Sequence, residues 1–161
     1  MTWPEQAITS QPGTYVLMLA CPRPATVRIG NLGTMQLQPG FYAYVGSALG
    51  AGGLKARLRH HLQIAARPHW HIDYLRAVCD VVEVWYATDA ARLEHRWARA
   101  MARLPGAGVP LPGFGSSDCG CAAHLFSYPR LPPIRAFRHQ VRTPVSRLTV
   151  SGSADHSRQW S

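Results

Sequence analysis

Two tyrosines, an arginine and a histidine occur in this sequence in an order that could serve to cut a phosphodiester. Tyr15 ends the triplet GTY at the start of one apolar run, and Tyr44 begins YVGS at the end of another. Arg57 and His61 follow four residues apart, so a helix would place both on one face. Arginine binds phosphate oxygens through two parallel hydrogen bonds. A tyrosine hydroxyl can position or deprotonate a water if a neighbour lowers its pKa. Together these residues predict a site for phosphate chemistry.

Each of these residues also has a structural interpretation when it is considered alone. Tyr15 and Tyr44 could be tyrosines at the edge of the core, each with its hydroxyl on a backbone partner. His61 could be a partly buried helix histidine. Arg59 and His60 lie off the face of the predicted helix and are expected to face solvent. The order of the motifs along the chain, more than any single residue, favours the functional interpretation.

Short strands and helices are predicted to position these residues. Apolar β-rich runs bounded by turn signals predict strands, and apolar stripes at helical spacing predict helices. The predicted strands are 15–20, 26–29, 35–37, 41–45, 81–86 and about 125–128, and the predicted helices are 54–65, 72–79 and 89–104. The second strand is expected to be the returning hairpin partner of the first, and Asp89 is expected to cap the third helix. The pattern predicts an α/β fold, a small and mostly antiparallel sheet flanked by helices.

Length and composition fit one folded domain with extensions. The chain has 161 residues, of which 47% are apolar, enough for a core. Residues 12–128 carry the predicted elements, with 1–11 as an extension before them. Residues 129–161 are rich in Pro, Arg and Ser and are predicted to be a flexible basic tail. No apolar run approaches the roughly 20 residues of a membrane helix, and the N-terminus lacks a secretion signal. We therefore expect a cytoplasmic protein with no membrane partner.

Net charge and cysteine content indicate which class of partner and which redox state to expect. The net charge is +9 at pH 7, which favours a polyanionic partner because arginines that neutralise phosphates release counterions. Much of this charge lies in residues 129–161, and solubility is the alternative explanation. The four cysteines have no secretory context, so reduced thiols are expected.

Four longer segments carry a likeness to a known family: GTYVLML, GFYAYVGSALGAGGLKARLRHHL, HWHIDYL and PGFGSSDCGCAAHLF. On these segments the chain resembles the GIY-YIG nuclease superfamily. It looks most like a branch of small bacterial and archaeal proteins that are sometimes fused to endonuclease III. The resemblance covers roughly residues 12–128. The two tyrosine motifs are further apart than in typical members, which implies an inserted hairpin around residues 21–37, as in that branch.

The resemblance implies a metal-dependent endonuclease that acts on DNA, structured or damaged DNA in particular. Tyr15 would activate the water and Arg57 would hold the phosphate, with Tyr44 and His61 assisting. Glu94 maps onto a glutamate by which the superfamily holds one divalent cation, Mg²⁺ or Mn²⁺. Mg²⁺ prefers one or two carboxylates together with waters and substrate oxygens. Without the resemblance, Glu94 would be an ordinary solvated helix residue.

Two loops offer further candidates for contacts to the substrate or for support of the site. Gly46 and Ser47 follow Tyr44 in the second tyrosine motif, and Ser117 and Asp118 lie in a turn-rich loop. The hydroxyls and amides of that loop could hold a phosphate. Its simpler role is to cap the strand that follows.

The run HWHID brings His69, His71 and Asp73 within five residues. His71 and Asp73 could bind a metal or a phosphate. They could equally be an irregular helix start, with Asp73 in the first turn, where its charge suits the helix dipole. One of the two histidines is expected near the site.

Cys119, Cys121 and His124 resemble three ligands of a zinc site, although the C-x-C spacing is tighter than usual and a fourth ligand is not evident. Two alternatives to a nuclease therefore stay open. One is a module of the same fold that binds nucleic acid without cutting it. The other is an interaction domain stabilised by zinc.

Overall fold

The computed structural model describes residues 8–116 and 121–150, and a strand buried on both faces runs through its centre. The run GTYVLMLAC is buried at every position, as expected for a strand that is covered on both sides. The elements in chain order are β1 (Gly13–Cys21), β2 (Ala25–Ile29), β3 (Gly33–Leu37), β4 (Gly40–Ala48), α1 (Gly53–His61), α2 (His71–Leu75), β5 (Asp80–Thr88), α3 (Glu94–Arg103), β6 (Leu125–Tyr128), α4 (Ile134–Val141) and β7 (Ser146–Thr149).

Five of the strands form one antiparallel sheet in the order β6-β4-β1-β5-β7. The predicted α/β fold with a small antiparallel sheet is therefore confirmed. The register between β1 and β4 pairs Tyr15 with Gly46 and Leu17 with Tyr44. Both tyrosine motifs consequently lie at the same end of the sheet, on neighbouring strands.

The inserted segment forms a separate two-stranded sheet of β2 and β3. The hairpin was predicted correctly, but the pairing of its first strand with β1 was wrong. Both long edges of β1 are already occupied, by β4 on one side and β5 on the other. The hairpin instead packs on one face of the sheet, where Ile29, Met35 and Leu37 join the core.

The two faces of β1 face two separate cores, because successive side chains of a strand point in opposite directions. Tyr15, Leu17 and Leu19 face a core that the hairpin and helices α1 and α2 complete. Val16 and Met18 face the second core, which α3 and α4 cover. The first core holds the tyrosine motifs, so the helix with Arg57 and His61 packs on the face where those motifs lie.

The helices are shorter than the sequence predicts. The third helix begins at Glu94 and not at Asp89, because the Asp89 carboxylate accepts a hydrogen bond from the Ala91 backbone at 2.9 Å and holds a turn before the helix. The start at Glu94 places this carboxylate in the first turn, where the helix dipole favours negative charge.

Residues 129–150 of the predicted flexible tail are part of the fold, so the prediction was wrong for them, and residues 151–161 lie outside the described residues. The structure forms α4 and β7 from residues 134–149, and β7 pairs with β5 at the edge of the sheet. Phe137 is fully buried against the rings of Trp85 and Trp97. Arg138 donates to the Val145 carbonyl at 2.7 and 3.0 Å, so part of the basic charge of this segment serves the fold.

The structure also corrects the expectation that the thiols are reduced. Cys21 at the end of β1 and Cys79 in the loop after α2 form a disulfide, and both are buried. The bond ties the α2 region to the central strand. Over the described ranges 8–116 and 121–150, every helix is too short or too polar to span a bilayer.

Candidate functional site

Antiparallel pairing and one short loop bring Tyr15, Tyr44 and His61 together. Tyr15 lies near the start of β1 and Tyr44 lies on β4 beside it. Helix α1 follows β4 after a four-residue loop, residues 49–52, and returns over the same end of the sheet. Arg76 fixes the end of α1, because its buried guanidinium donates to the His61 carbonyl at 2.8 Å and to the Cys79 carbonyl.

Tyr15, Tyr44 and His61 form a buried group of rings that we call the aromatic cluster. The Tyr15 hydroxyl lies 2.6 Å from Nε2 of His61, and both residues are 0% exposed. The Tyr44 ring stands edge-on to the His61 ring, with 6.1 Å between their centroids. Gly46 is required beside them, because a Cβ at that position would lie 2.5 Å from the Tyr15 hydroxyl.

Burial makes both partners of the short contact neutral. Burial, with the nearby Tyr44, raises the pKa of Tyr15 well above its usual value, and the Arg57 charge and hydrogen bond only partly oppose this. Burial and the Arg57 charge lower the pKa of His61 to about 3. The Nδ1 atom of His61 is buried without a hydrogen-bond partner among the described residues. Such an unsatisfied group costs about 1–3 kcal/mol and requires an explanation, such as a catalytic role or an ordered water.

Arg57 lies at the edge of the aromatic cluster and is held in place by two contacts. Its Nη1 donates to the Ser47 carbonyl at 3.1 Å, and its guanidinium carbon lies 4.5 Å from the centroid of the Trp70 ring. It acts on the Tyr15 hydroxyl by charge and by a side-chain hydrogen bond. The predicted neighbourhood of Arg57, Tyr15 and His61 is therefore present in the structure.

Glu94 faces a polar cavity on the other side of Ser47. The cavity has a volume of about 220 Å³. Its lining residues are Ser47, Leu49, Arg92, Glu94, His95, Gly115 and His124. Burial alone would raise the pKa of Glu94, but hydrogen bonds from His124 and Ser47 and the nearby imidazole charges outweigh it and lower the pKa. Glu94 is therefore ionised at neutral pH, and its charge is also felt at Tyr15 and Tyr44.

Asp73 stabilises the start of α2 through hydrogen bonds to the backbone. Its carboxylate accepts hydrogen bonds from the backbone of His69 at 2.8 Å and of Trp70 at 3.0 Å. The same carboxylate lies 3.1 Å from Nε2 of His60. These contacts match the helix-start interpretation of the HWHID run. They also correct the expectation for His60, which packs on Asp73 and on the Trp70 ring instead of facing only solvent.

The two histidines of this run differ in their surroundings. His69 is exposed and stacks edge-on against Trp70, with 4.7 Å between ring centroids. His71 accepts a hydrogen bond from the Gly115 backbone at 2.8 Å, and partial burial lowers its pKa. Gly115 lines the cavity, so His71 positions the loop that closes it.

Of the three candidate zinc ligands Cys119, Cys121 and His124, the last two lie in the described part of the chain. Ser117, Asp118 and Cys119 lie outside the described residues. Cys121 and His124 meet His95 of α3, and the potential ligand atoms of these three residues lie within 4.8 Å of one another. We call Glu94, His95, Cys121 and His124 the cavity cluster.

The sequence interpretation missed His95, Arg92 and Phe114. His95 follows Glu94 directly, so a search for ligands beside a candidate metal ligand would have found it. Arg92 lines the cavity. Phe114 is buried edge-on against Tyr44, with 6.1 Å between ring centroids, and it needed the fold to be recognised.

The fold and these clusters define a small α/β protein in which a buried, neutral phenol–imidazole pair, an arginine beside it and an ionised glutamate at a polar cavity gather around Ser47. The sequence model of the family described as "Domain of unknown function DUF123" matches residues 14–145, so the chain belongs to that family. This finding corrects the assignment to the GIY-YIG nuclease superfamily, which was wrong. No curated protein and no solved structure matches the chain.

Proposed function

We propose that this protein binds nucleic acid at the polar cavity beside Ser47 and hydrolyses phosphodiester bonds, with DNA as the polymer and Mg²⁺ or Mn²⁺ as the cation. One observation carries the proposal: Arg57 and Glu94 both contact Ser47, and the Tyr15–His61 pair lies beside Arg57, although these residues come from three different elements, β1, α1 and α3. The net charge of +9 supports a polyanionic substrate. The proposal includes the cytoplasmic location expected from the sequence.

Phosphate binding would fall to Arg57 and the groups around Ser47. Arg57 is already oriented by the Ser47 carbonyl and the Trp70 ring, so little side-chain entropy remains to be lost when it binds a phosphate. Its planar guanidinium matches two phosphate oxygens. Arg92 at the cavity wall offers a second cation for a neighbouring phosphate.

Glu94 fits the requirement of a hard divalent cation. Its carboxylate is ionised, faces a polar cavity of about 220 Å³ and has Ser47 beside it. Mg²⁺ is commonly held by one or two carboxylates together with waters and substrate oxygens. When bound, the cation would supply charge stabilisation for the phosphoryl oxygens.

Tyr15 and His61 would handle the proton of the attacking water. As the Tyr15 oxygen takes a proton from the water, its own proton moves to Nε2 of His61, 2.6 Å away. In the structure the pKa of His61 is lowered to about 3, which disfavours this transfer. A bound anionic phosphate would raise that pKa, because an opposite charge stabilises the imidazolium.

The test is cleavage of labelled single-stranded, double-stranded and branched DNA, with RNA for comparison, in Mg²⁺ or Mn²⁺. We expect Arg57→Ala and Glu94→Ala each to reduce the rate by about 100-fold or more, as the loss of a group that stabilises transition-state charge does. Arg59→Ala is the matched control, since Arg59 is exposed on the same helix. Cleavage that survives both substitutions would contradict the proposal.

Burial of Tyr15 favours a second candidate function, a module that binds nucleic acid without cutting it. Tyr15 is 0% exposed and its pKa is raised, so access of a water to its hydroxyl requires a rearrangement. This function predicts salt-sensitive binding that Glu94→Ala leaves unchanged, and no cleavage in either cation.

A further inference from the structure

We propose that His95, Cys121 and His124 form a binding site for Zn²⁺ or a similar transition-metal ion. Their potential ligand atoms lie within 4.8 Å of one another, and Nδ1 of His95 lies 3.2 Å from Sγ of Cys121. Ligand atoms on a tetrahedral zinc lie roughly 3.4–3.7 Å apart, given bonds of about 2.1 Å to nitrogen and 2.3 Å to sulfur. The three residues therefore need only small side-chain shifts to surround one ion.

The chemistry of the three ligands selects the class of metal. A cysteine thiolate and two imidazoles suit zinc and related ions, whereas Mg²⁺ prefers oxygen ligands. Cys121 lies outside the Cys21–Cys79 disulfide. The ligands come from α3 and from the segment before β6, which are brought together only by the fold.

Glu94 supports this site from behind one ligand. Its Oε2 lies 2.7 Å from Nδ1 of His124, which is 1% exposed. Carboxylates in this position orient metal-bound histidines and increase their basicity.

Among the described residues three ligands are supplied, and one tetrahedral position is left open. His95 and His124 line the cavity of about 220 Å³ together with Ser47 and Glu94, so the open position would face a space with room for water. Structural zinc sites usually have four protein ligands, while three ligands and an open position are typical of reactive ones. With its described ligands alone, the inferred site therefore has one position for a water or another exogenous ligand.

The experiment uses the full chain, kept free of oxygen and of added reductant so that the Cys21–Cys79 disulfide stays intact, stripped of metal and titrated with Zn²⁺ against a chromophoric chelator. We expect one equivalent to bind, with excess Mg²⁺ unable to compete. Replacement of Zn²⁺ by Co²⁺ should produce the visible absorption of a tetrahedral site and a near-ultraviolet band from sulfur. Cys121→Ser should remove the sulfur band.

The variants are chosen so that folding is preserved. His95 is exposed and Cys121 is only half-buried, whereas the buried His124 is left intact. We expect His95→Ala to weaken Zn²⁺ binding by more than about 100-fold. We expect Glu94→Gln to weaken it by about 10–100-fold, the usual effect of losing a group behind a ligand. His139→Ala, at an exposed position in the last turn of α4, is the matched control and should bind normally.

The outcomes separate this inference from the proposed hydrolysis, because zinc binding is measured without nucleic acid. Binding that is equal in wild type, His95→Ala and Cys121→Ser would overturn the inference, as would the absence of binding in the wild type. Binding that depends on Cys121 alone would overturn the proposed ligand set. Zinc binding without any cleavage would leave the inference standing and remove only the proposed hydrolysis.

Discussion

The aromatic cluster and the cavity cluster both lie near Ser47, and burial favours the neutral form of the ionisable groups in both, yet only the cavity cluster keeps a charge. In the aromatic cluster burial is decisive: it raises the pKa of Tyr15 and lowers the pKa of His61, so both are neutral. In the cavity cluster, hydrogen bonds and nearby imidazole charges outweigh burial, so Glu94 stays ionised. Buried ionisable groups are thus kept charged only where partners are supplied.

The two clusters have different roles: one belongs to the core, and the other lines a cavity. The aromatic cluster belongs to the core, and its short contact between Tyr15 and His61 replaces solvent for both groups. The cavity cluster is partly open to solvent and offers charge and ligand atoms. Substitutions in the aromatic cluster should therefore change the free energy of unfolding, whereas those in the cavity cluster should change ion binding.

The largest effect on stability is expected from Gly46→Ala. The new Cβ would lie 2.5 Å from the Tyr15 hydroxyl and 2.6 Å from its ring carbon, and the buried ring has no space into which it can move. We expect the free energy of unfolding in urea to fall by about 3 kcal/mol, the upper range for overpacking. Gly50→Ala is the control, because nothing lies within 4 Å of a Cβ there, and it should change stability by less than about 0.5 kcal/mol. Equal effects at the two glycines would contradict the packing described here.

The pH dependence of stability should report the neutral His61. Its pKa is about 3 in the folded protein and about 6.5 in the unfolded chain. The unfolded state alone therefore binds this proton as the pH falls below 6.5, and stability is lost towards pH 3. Between about pH 7.5 and 4.5 the loss from this residue should be roughly 2–3 kcal/mol.

Urea unfolding of wild type and His61→Gln at several pH values isolates this contribution. His71, Asp73 and Glu94 also have lowered pKa values, so they add losses of the same sign. The variant retains those losses, and the difference in slope between the two proteins belongs to His61. Identical slopes above about pH 4.5 would show that His61 is accessible to protons in the folded state.

A smaller loss is expected from Tyr15→Phe. The substitution keeps the ring but leaves Nε2 of His61 without its partner at 2.6 Å, while Nδ1 already lacks one among the described residues. An unsatisfied buried group of this kind costs about 1–2 kcal/mol in the free energy of unfolding. Tyr74→Phe is the control, since Tyr74 is half-buried and lies outside the aromatic cluster. If Tyr74→Phe lowered the free energy of unfolding as much as Tyr15→Phe does, the Tyr15–His61 contact would contribute no more than an ordinary tyrosine hydroxyl.

The smallest effect on stability is expected from His95→Ala in the absence of added metal. His95 is exposed in the first turn of α3, so its removal should change the free energy of unfolding by less than about 0.5 kcal/mol. In added Zn²⁺ the wild type should gain thermal stability and the variant should not, because ligands that bind the folded state stabilise it. A large loss without metal would mean that the cavity cluster, like the aromatic cluster, is part of the core.

The central strands and helices of the fold could be predicted from the sequence, whereas its C-terminal elements could not. The apolar run of β1 and the spacing of Arg57 and His61 follow from local periodicity, and both agree with the structure. Helix α4 was missed because the Pro- and Arg-rich composition around it obscured the apolar positions Ile134, Phe137 and Val141. Those three positions have helical spacing, so the signal was present but short.

The sequence by itself determined which side chains share a face of a strand or helix, because the backbone repeats of about 2 and 3.6 residues are local. Only the tertiary structure decided which faces meet. The contact of Tyr15 with His61 spans 46 positions, the contact of His95 with Cys121 spans 26, and the disulfide of Cys21 and Cys79 spans 58. Such distances depend on how the hairpin, helices and sheet pack, and packing is a cooperative property of the whole core.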